Sequence, residues 1–227
     1  MTISAKADSA KSSSTDLKRD RRGFFMDKLE YERKYFENGC KYVAGVDEVG
    51  RGPLAGPVVC AAVIMPQDDI IDGVDDSKKL SEKKRTVLAE IIKRKAIAYN
   101  IAEVSQNEID EINILQAVRR CMTAAVNGLK IKPDVTLVDG VDTKLEINAE
   151  YVVKGDSKSY TIGCASIIAK VYRDELMKDY AKDFPEYGFE KNKGYGSPAH
   201  IAAIKENGPC RLHRKTFIKN FWAEPEK

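Results

Sequence analysis

Two adjacent acids, Asp47 and Glu48, follow the short apolar run Tyr42 to Val46 and lead into the turn Gly50-Arg51-Gly52-Pro53. A run of that kind suits a strand covered on both faces. Isolated buried carboxylates cost about several kcal/mol, so acids delivered by such a strand belong near water, near a cation, or both. Two more acids stand beside glycines: Asp139 in Val138-Asp139-Gly140, and Asp156 in Gly155-Asp156-Ser157. One acid at a strand end usually marks a solvated turn. Acids from three strand ends on one sheet edge would repel; at ~6 Å and an effective dielectric near ~20, each pair costs about 2–3 kcal/mol. Divalent cations turn that repulsion into attraction. Magnesium takes a few carboxylates, several waters and substrate phosphates. Two ions about 4 Å apart suit in-line phosphodiester hydrolysis, one activating water and one stabilising the leaving oxygen.

The remaining chemistry is narrow. Only His200 and His213 are present, which excludes a histidine-rich metal site. The five cysteines, Cys40, Cys60, Cys121, Cys164 and Cys210, form no C-x-x-C pair and read as free thiols in a reducing cytoplasm. Any metal must then be held by oxygen, which points to Mg2+ or Mn2+. The net charge of +3 does not announce a nucleic-acid binder. A basic site must come from local clustering, with Lys78, Lys79, Lys154, Lys158, Lys170, Arg173, Arg211 and Arg214 as candidates. Charge runs are usually solvated faces, so half of these are expected on a phosphate backbone.

The elements that must position these residues follow from periodicity and spacing. A second strand runs from Gly56 to Ile64, and the link from Gly50 is too short for a parallel crossover. The two strands should pair as an antiparallel hairpin, which excludes a purely parallel sheet. A helix over 81–95, a strand over 96–104, and a long helix opened by the capping box Ser105/Glu108 come next. Strands over 134–140 and 151–153, a helix over 162–183 and a helix over 198–206 complete an α/β pattern. Phe24 to Glu37 reads as a short helix ahead of the first strand. Residues 1–22 hold hardly any large apolar residue and are expected to be disordered. They lack the apolar core of a secretory signal, and Asp8, Asp16 and Asp20 argue against a transit peptide. No apolar run approaches the roughly 18 residues that span a membrane. The division expected is a tail over 1–22, a catalytic core over 23–190, and a small helical C-terminal extension over 191–227 that packs on the core.

Five stretches together resemble ribonuclease HII, the type 2 ribonuclease H family. They are Val43–Val59 (V-A-G-V-D-E-V-G-R-G-P-L-A-G-P-V-V), Asp76–Leu80 (D-S-K-K-L), Val138-Asp139-Gly140, Lys154–Lys170 (K-G-D-S-K-S-Y-T-I-G-C-A-S-I-I-A-K), and Lys193–Ser197 (K-G-Y-G-S) with His200. They stand in the family's order over about 41–217. The D-E-x-G-R-G core is specific; V-D-G and G-Y-G alone would be weak.

The resemblance implies a ribonuclease H-like fold, a mixed central sheet with an antiparallel hairpin, flanked by helices. It implies hydrolysis of the RNA strand of RNA–DNA hybrids and incision 5′ of single ribonucleotides in duplex DNA, leaving a 3′-hydroxyl and a 5′-phosphate. The family's four metal-binding acids map onto Asp47, Glu48, Asp139 and Asp156. A helix N-cap stays open as the plainer role of Asp156. Gly50, Arg51 and Gly52 match a reader of the ribose 2′-hydroxyl, the group that separates RNA from DNA. Glycines permit the close backbone approach this needs. Tyr195 matches a tyrosine that packs on the next sugar, although a loop aromatic is more often only packed. Lys78 and Lys154 are assigned to substrate, and His213 to a structural or phosphate-facing place. Asn192 replaces a histidine common in the family, with no expected loss of activity.

The expected product is a cytoplasmic monomer acting on hybrid or ribonucleotide-containing duplex, with no membrane partner. Lys215–Trp222 faintly resembles a sliding-clamp peptide but lacks the leading glutamine, so packing on the core is favoured over a weak clamp contact. Two other functions compete with this one. A binding module without turnover needs a broken acid set, and this one is intact. A small-substrate phosphohydrolase leaves Tyr195 and the basic tail without work.

Overall fold

Five strands form one mixed sheet in the order β3-β2-β1-β4-β5. The computed structural model describes residues 28–142 and 144–222. The hairpin is β1 (Val43–Val49) and β2 (Val58–Ile64), antiparallel and in register from Ala44↔Ile64 to Val49↔Val59. β3 (Ala98–Val104) extends it on the β2 side. β4 (Val135–Asp139) lies parallel to β1, and β5 (Ala149–Val152) parallel to β4. Short α1 (Glu30–Glu37) precedes the sheet. Residues 24–27 of the helix expected there, and the tail over 1–22, fall outside the described residues.

β1 runs further than its apolar stretch suggests. The sequence places its end at Val46; the structure carries it through Asp47 and Glu48 to Val49. Pairing with β2, whose seven residues are all buried, sustains the ladder past the point where hydrophobicity stops. Alternation along β2 splits the core. Val58, Cys60, Ala62 and Ile64 face α3 (Gln106–Asn127), with Val118, Cys121 and Met122. Val59, Ala61 and Val63 face α2 (Glu82–Lys95) and the residues that follow β5.

α3 is not one continuous helix. Asn113 takes φ 66° and ψ 163° inside it. Its Oδ1 accepts the N–H groups of Leu115 and Gln116 at 3.0 and 3.2 Å, so the side chain caps the second segment.

After β5 come a single turn, α4 (Gly155–Lys158), and the long α5 (Tyr160–Asp183), capped by the Ser159 hydroxyl. α5 crosses β1 at Gly45, where a Cβ would stand 2.4 Å from the Thr161 carbonyl carbon. Such contact fixes the helix against the strand that carries Asp47.

α6 (Phe189–Asn192), α7 (Pro198–Asn207) and α8 (Lys215–Ile218) follow. Phe189, Ile204, Leu212 and Ile218 close over Met177 of α5 and Ala55 of the hairpin loop, with Phe221 and Trp222 at the margin. The described helices include none long and apolar enough to cross a membrane.

Candidate active site

Parallel pairing brings two acids side by side. Val46 is opposite Val138, so Asp47 and Asp139 are the next residues along neighbouring strands. Val43, Val135 and Leu137 share a core cluster with Ile162 of α5, and the two-residue period puts Asp47 and Asp139 on that same face. Asp139 Oδ1 accepts the N–H of Gly155 at 2.5 Å and that of Asp156 at 3.4 Å. This bond draws α4 onto the strand end and carries Asp156 beside Asp139. The approach is close: a Cβ on residue 155 would stand 2.5 Å from Ile162 Cδ1 and 3.2 Å from Asp139 Oδ1. Lys154, in the left-handed region at φ 58°, turns the chain into α4. Asp156 therefore sits within a helical turn after β5, not at a strand end. The N-cap of α5 is Ser159.

Glu48 alternates to the other face of β1 and pairs with Arg51 Nη1 at 3.3 Å. Its carboxyl still feels Asp139 across the strand ends.

Electrostatics show how tightly these acids are held. Burial pushes the Asp47 carboxyl well up, Glu48 and Asp139 add to the shift, and the Ser166 hydroxyl and the Glu48 N–H oppose it. Burial also raises Glu48, against Arg51, and raises Asp156, with Asp139 and Asp76 adding and Lys78 opposing. Burial works against the Lys78 ammonium, but Asp156, Asp76, Asp47 and Asp139 outweigh it and the net shift is upward. Lys78 Nζ is 4.0 Å from Asp156 Oδ2. Asp139 raises the proton affinity of Asp47, Glu48 and Asp156, a strain that a cation would relieve, and an all-oxygen donor set suits Mg2+ or Mn2+. The acids share an edge without converging on a point: among the described residues, no three His, Cys, Asp or Glu side chains are grouped to hold one ion.

Beside the acids lies the glycine turn. Gly50 has φ 97°, and a Cβ there would stand 2.4 Å from Arg173 Nε. Gly52 adjoins the Tyr195 ring, with 3.7 Å between its would-be Cβ and Tyr195 Cε1. Tyr195 is 45% exposed, and Arg51, Gly52 and Lys154 are exposed too. The Leu54 N–H donates to Gly194 O at 2.8 Å and ties the two loops together.

The basic candidates divide. Lys78, Lys79, Lys154, Lys158 and Arg211 are exposed; Lys170 is paired with Asp174 at 2.7 Å. Arg173 and Arg214 have no exposed surface, which removes them from any phosphate-binding groove. His213 is buried against His200.

Sequence reasoning passed over Asp76, whose carboxyl accepts the Lys78 N–H at 2.9 Å and acts on Asp156. It also passed over Ser166, buried next to Asp47 and 3.0 Å from the Ser77 hydroxyl. Its signal was present: a lone hydroxyl inside the run Ile162-Gly-Cys-Ala-Ser-Ile-Ile-Ala169.

A mixed sheet flanked by helices, with carboxylates gathered at the ends of its parallel strands, defines a phosphodiester hydrolase of ribonuclease H-like fold. Known proteins bear this out. The ribonuclease HII family model matches residues 44–224, and the chain belongs to the ribonuclease HII family. A curated ribonuclease HII from Caldanaerobacter subterraneus subsp. tengcongensis is 51% identical, over 83% of this chain and 79% of that protein. The crystal structure of the ribonuclease H2 from Pyrococcus horikoshii superposes with TM-score 0.69 at 29% identity, covering 80% of this chain and 97% of that one. The ribonuclease HII of Archaeoglobus fulgidus, solved in complex with PCNA, gives TM-score 0.67 at 28% identity, covering 82% and 98%.

Proposed function

We propose that this ribonuclease cuts the RNA strand of RNA–DNA hybrids and incises 5′ of single ribonucleotides in duplex DNA. The observation that carries this is a chain of adjacencies: Asp47 and Asp139 end neighbouring strands, Asp139 holds the turn that carries Asp156, Glu48 pairs with Arg51 of the Gly50–Gly52 turn, and Gly52 adjoins the Tyr195 ring. A phosphate held at the acids would have its neighbouring ribose at the turn.

Asp47, Glu48, Asp139 and Asp156 would hold the divalent ions, Mg2+ or Mn2+. Ions bound there supply an activated water and stabilisation of the leaving oxygen. The chain's own residues do the rest. Asp139 fixes Asp156 through the Gly155 N–H. Lys78 balances the acids from the solvent side, and Lys154 lies next to α4 within reach of a backbone phosphate. The turn approaches the ribose closely, and the exposed Tyr195 ring offers a flat face to the next sugar. Cleavage then leaves a 3′-hydroxyl and a 5′-phosphate.

The reading extends to a cytoplasmic monomer divided into a tail over 1–22, a core over 23–190 and an extension over 191–227. The Archaeoglobus relative was solved with PCNA. A weak clamp contact here would use only the outward side of Lys215–Trp222, because Phe217, Ile218, Phe221 and Trp222 pack against the protein.

The test is a labelled DNA duplex containing one ribonucleotide, incubated with Mg2+, Mn2+ or EDTA. A single metal-dependent cut on the 5′ side of the ribonucleotide is expected. Cutting confined to long hybrids would overturn the junction specificity. No cut in either substrate would overturn the proposal.

A further inference from the structure

Two arginines lie wholly buried behind the glycine turn, and neither makes an ion pair among the described residues. Arg214 donates through Nη2 to Gly50 O at 2.6 Å and Gly56 O at 2.8 Å, through Nη1 to Arg51 O at 3.0 Å, and through Nε to Gly56 O at 3.0 Å. Arg173 donates through Nε to Pro57 O at 3.0 Å, through Nη2 to Ala55 O at 3.1 Å, and through Nη1 to Lys193 O at 2.9 Å. A buried cation without a carboxylate is costly unless dipoles replace its water. Here six carbonyls do so, and all but one belong to residues 50–57.

The direction of those carbonyls has a stereochemical consequence. In a trans peptide the C=O and the following N–H point opposite ways. With the Gly50 and Arg51 carbonyls turned inward to Arg214, the N–H groups of Arg51 and Gly52 must point away from it. Both residues are exposed, and neither N–H finds an acceptor among the described residues. They form a pair of adjacent free donors at the surface beside Tyr195.

We propose that Arg214, backed by Arg173, is a positioning residue for ribose recognition: it holds the Gly50 and Arg51 carbonyls inward so that the Arg51 and Gly52 N–H groups face the 2′-hydroxyl oxygen. The proposal rests on reading the Gly50–Gly52 turn as the ribose reader. Arg173 serves the same surface from the other side, since its bond to Lys193 O anchors the loop that presents Tyr195. The Arg214 guanidinium makes four bonds to three carbonyls from a rigid planar fork; a lysine ammonium has three donors at a single point and cannot reproduce that spread.

The experiment uses the full chain in Mg2+ and compares wild type with Arg214→Lys and Arg214→Met. It measures KM for a duplex with one ribonucleotide and the Ki of the same duplex without it, used as competitor. The ratio Ki/KM reports ribose preference. A partly unfolded sample lowers the apparent kcat but moves neither KM nor Ki, so a merely structural role leaves the ratio alone. The expected result is a ratio reduced by roughly tenfold, through KM, with Ki within about twofold of wild type. An unchanged ratio in either folded variant overturns the positioning role and leaves the ribonuclease intact. A wild-type ratio near one overturns the reading of the turn, and this proposal with it. If neither variant folds, Arg214 serves the fold alone and the proposal falls.

Discussion

His213 Nε2 faces His200 Nε2 at 3.0 Å in the interior of the C-terminal lobe. Their hydrogen bonds fix both tautomers. The Cys210 N–H donates to His213 Nδ1 at 2.9 Å, which makes Nδ1 the acceptor and leaves the proton on His213 Nε2. That proton goes to His200 Nε2, so His200 donates from Nδ1 to the Tyr195 carbonyl at 2.8 Å. The relay needs both rings neutral. Burial, and next the neighbouring ring, lower His213 from its ordinary 6.5 to about 4; burial also lowers His200. In the unfolded chain both rings take up protons near their ordinary value. Stability is therefore unaffected above about pH 6.5 and falls as pH drops toward about 4, by on the order of 2–3 kcal/mol for His213. Urea midpoints between pH 7.5 and 4.5 should show this loss, and His213→Asn should show a shallower one. Parallel slopes for the two proteins would contradict the assignment.

Asp47→Asn is expected to keep the fold and duplex binding while losing turnover by on the order of a hundredfold or more. The amide is nearly isosteric and removes a charge that burial disfavours, so thermal stability should hold or rise. Single-turnover rates and duplex affinity separate the two effects. A wild-type rate in this variant would remove Asp47 from the metal site.

The parts of this site that sequence revealed are those with local signals. The short link between Gly50 and Gly56 requires a hairpin, and β1 and β2 form one. The Ser105/Glu108 spacing announces a helix start, and the Ser105 hydroxyl accepts the Glu108 N–H. The glycines beside the acids answer to local backbone demands: a close approach at Gly155, and a positive φ at Gly50 and Gly140. What escaped has no local signature. Arg173 and Arg214 look like surface cations in any window, and their partners lie 20 to 164 residues away in the chain. Asn113 breaks α3 amid apolar residues at helical spacing, and nothing in that spacing reports a left-handed backbone. The end of β1 lies beyond its apolar stretch because its last residues are held by pairing to β2, not by hydrophobicity.

Arg51→Ala tests the turn from its outer side. The Arg51 side chain is exposed and pairs with Glu48. Its loss takes the counter-charge from Glu48, a carboxyl that burial already pushes up, at the edge of the turn. Discrimination of ribose over deoxyribose should weaken, read as the relative affinities for duplexes with and without one ribonucleotide. Unchanged discrimination would show that the side chain only closes the turn.

Gly155→Ala probes how Asp156 is brought into place. The added methyl would meet Ile162 Cδ1 at 2.5 Å and press on Asp139 Oδ1 at 3.2 Å. Ile162 is wholly buried among Val43, Val135, Leu137 and Val152, so its tip has little room to turn aside and the strain falls on α4, which lengthens the bond from the 155 N–H to Asp139 and carries Asp156 away. Overpacking of this kind costs about 1–3 kcal/mol, less than the roughly 5–15 kcal/mol that holds a typical domain folded. A cooperative unfolding transition should remain, at a lower midpoint. Turnover should fall more steeply than the fraction folded, and duplex affinity should change little, because the turn and Tyr195 lie on other elements. If turnover followed the fraction folded alone, the approach of Asp156 to Asp139 would not matter for the reaction.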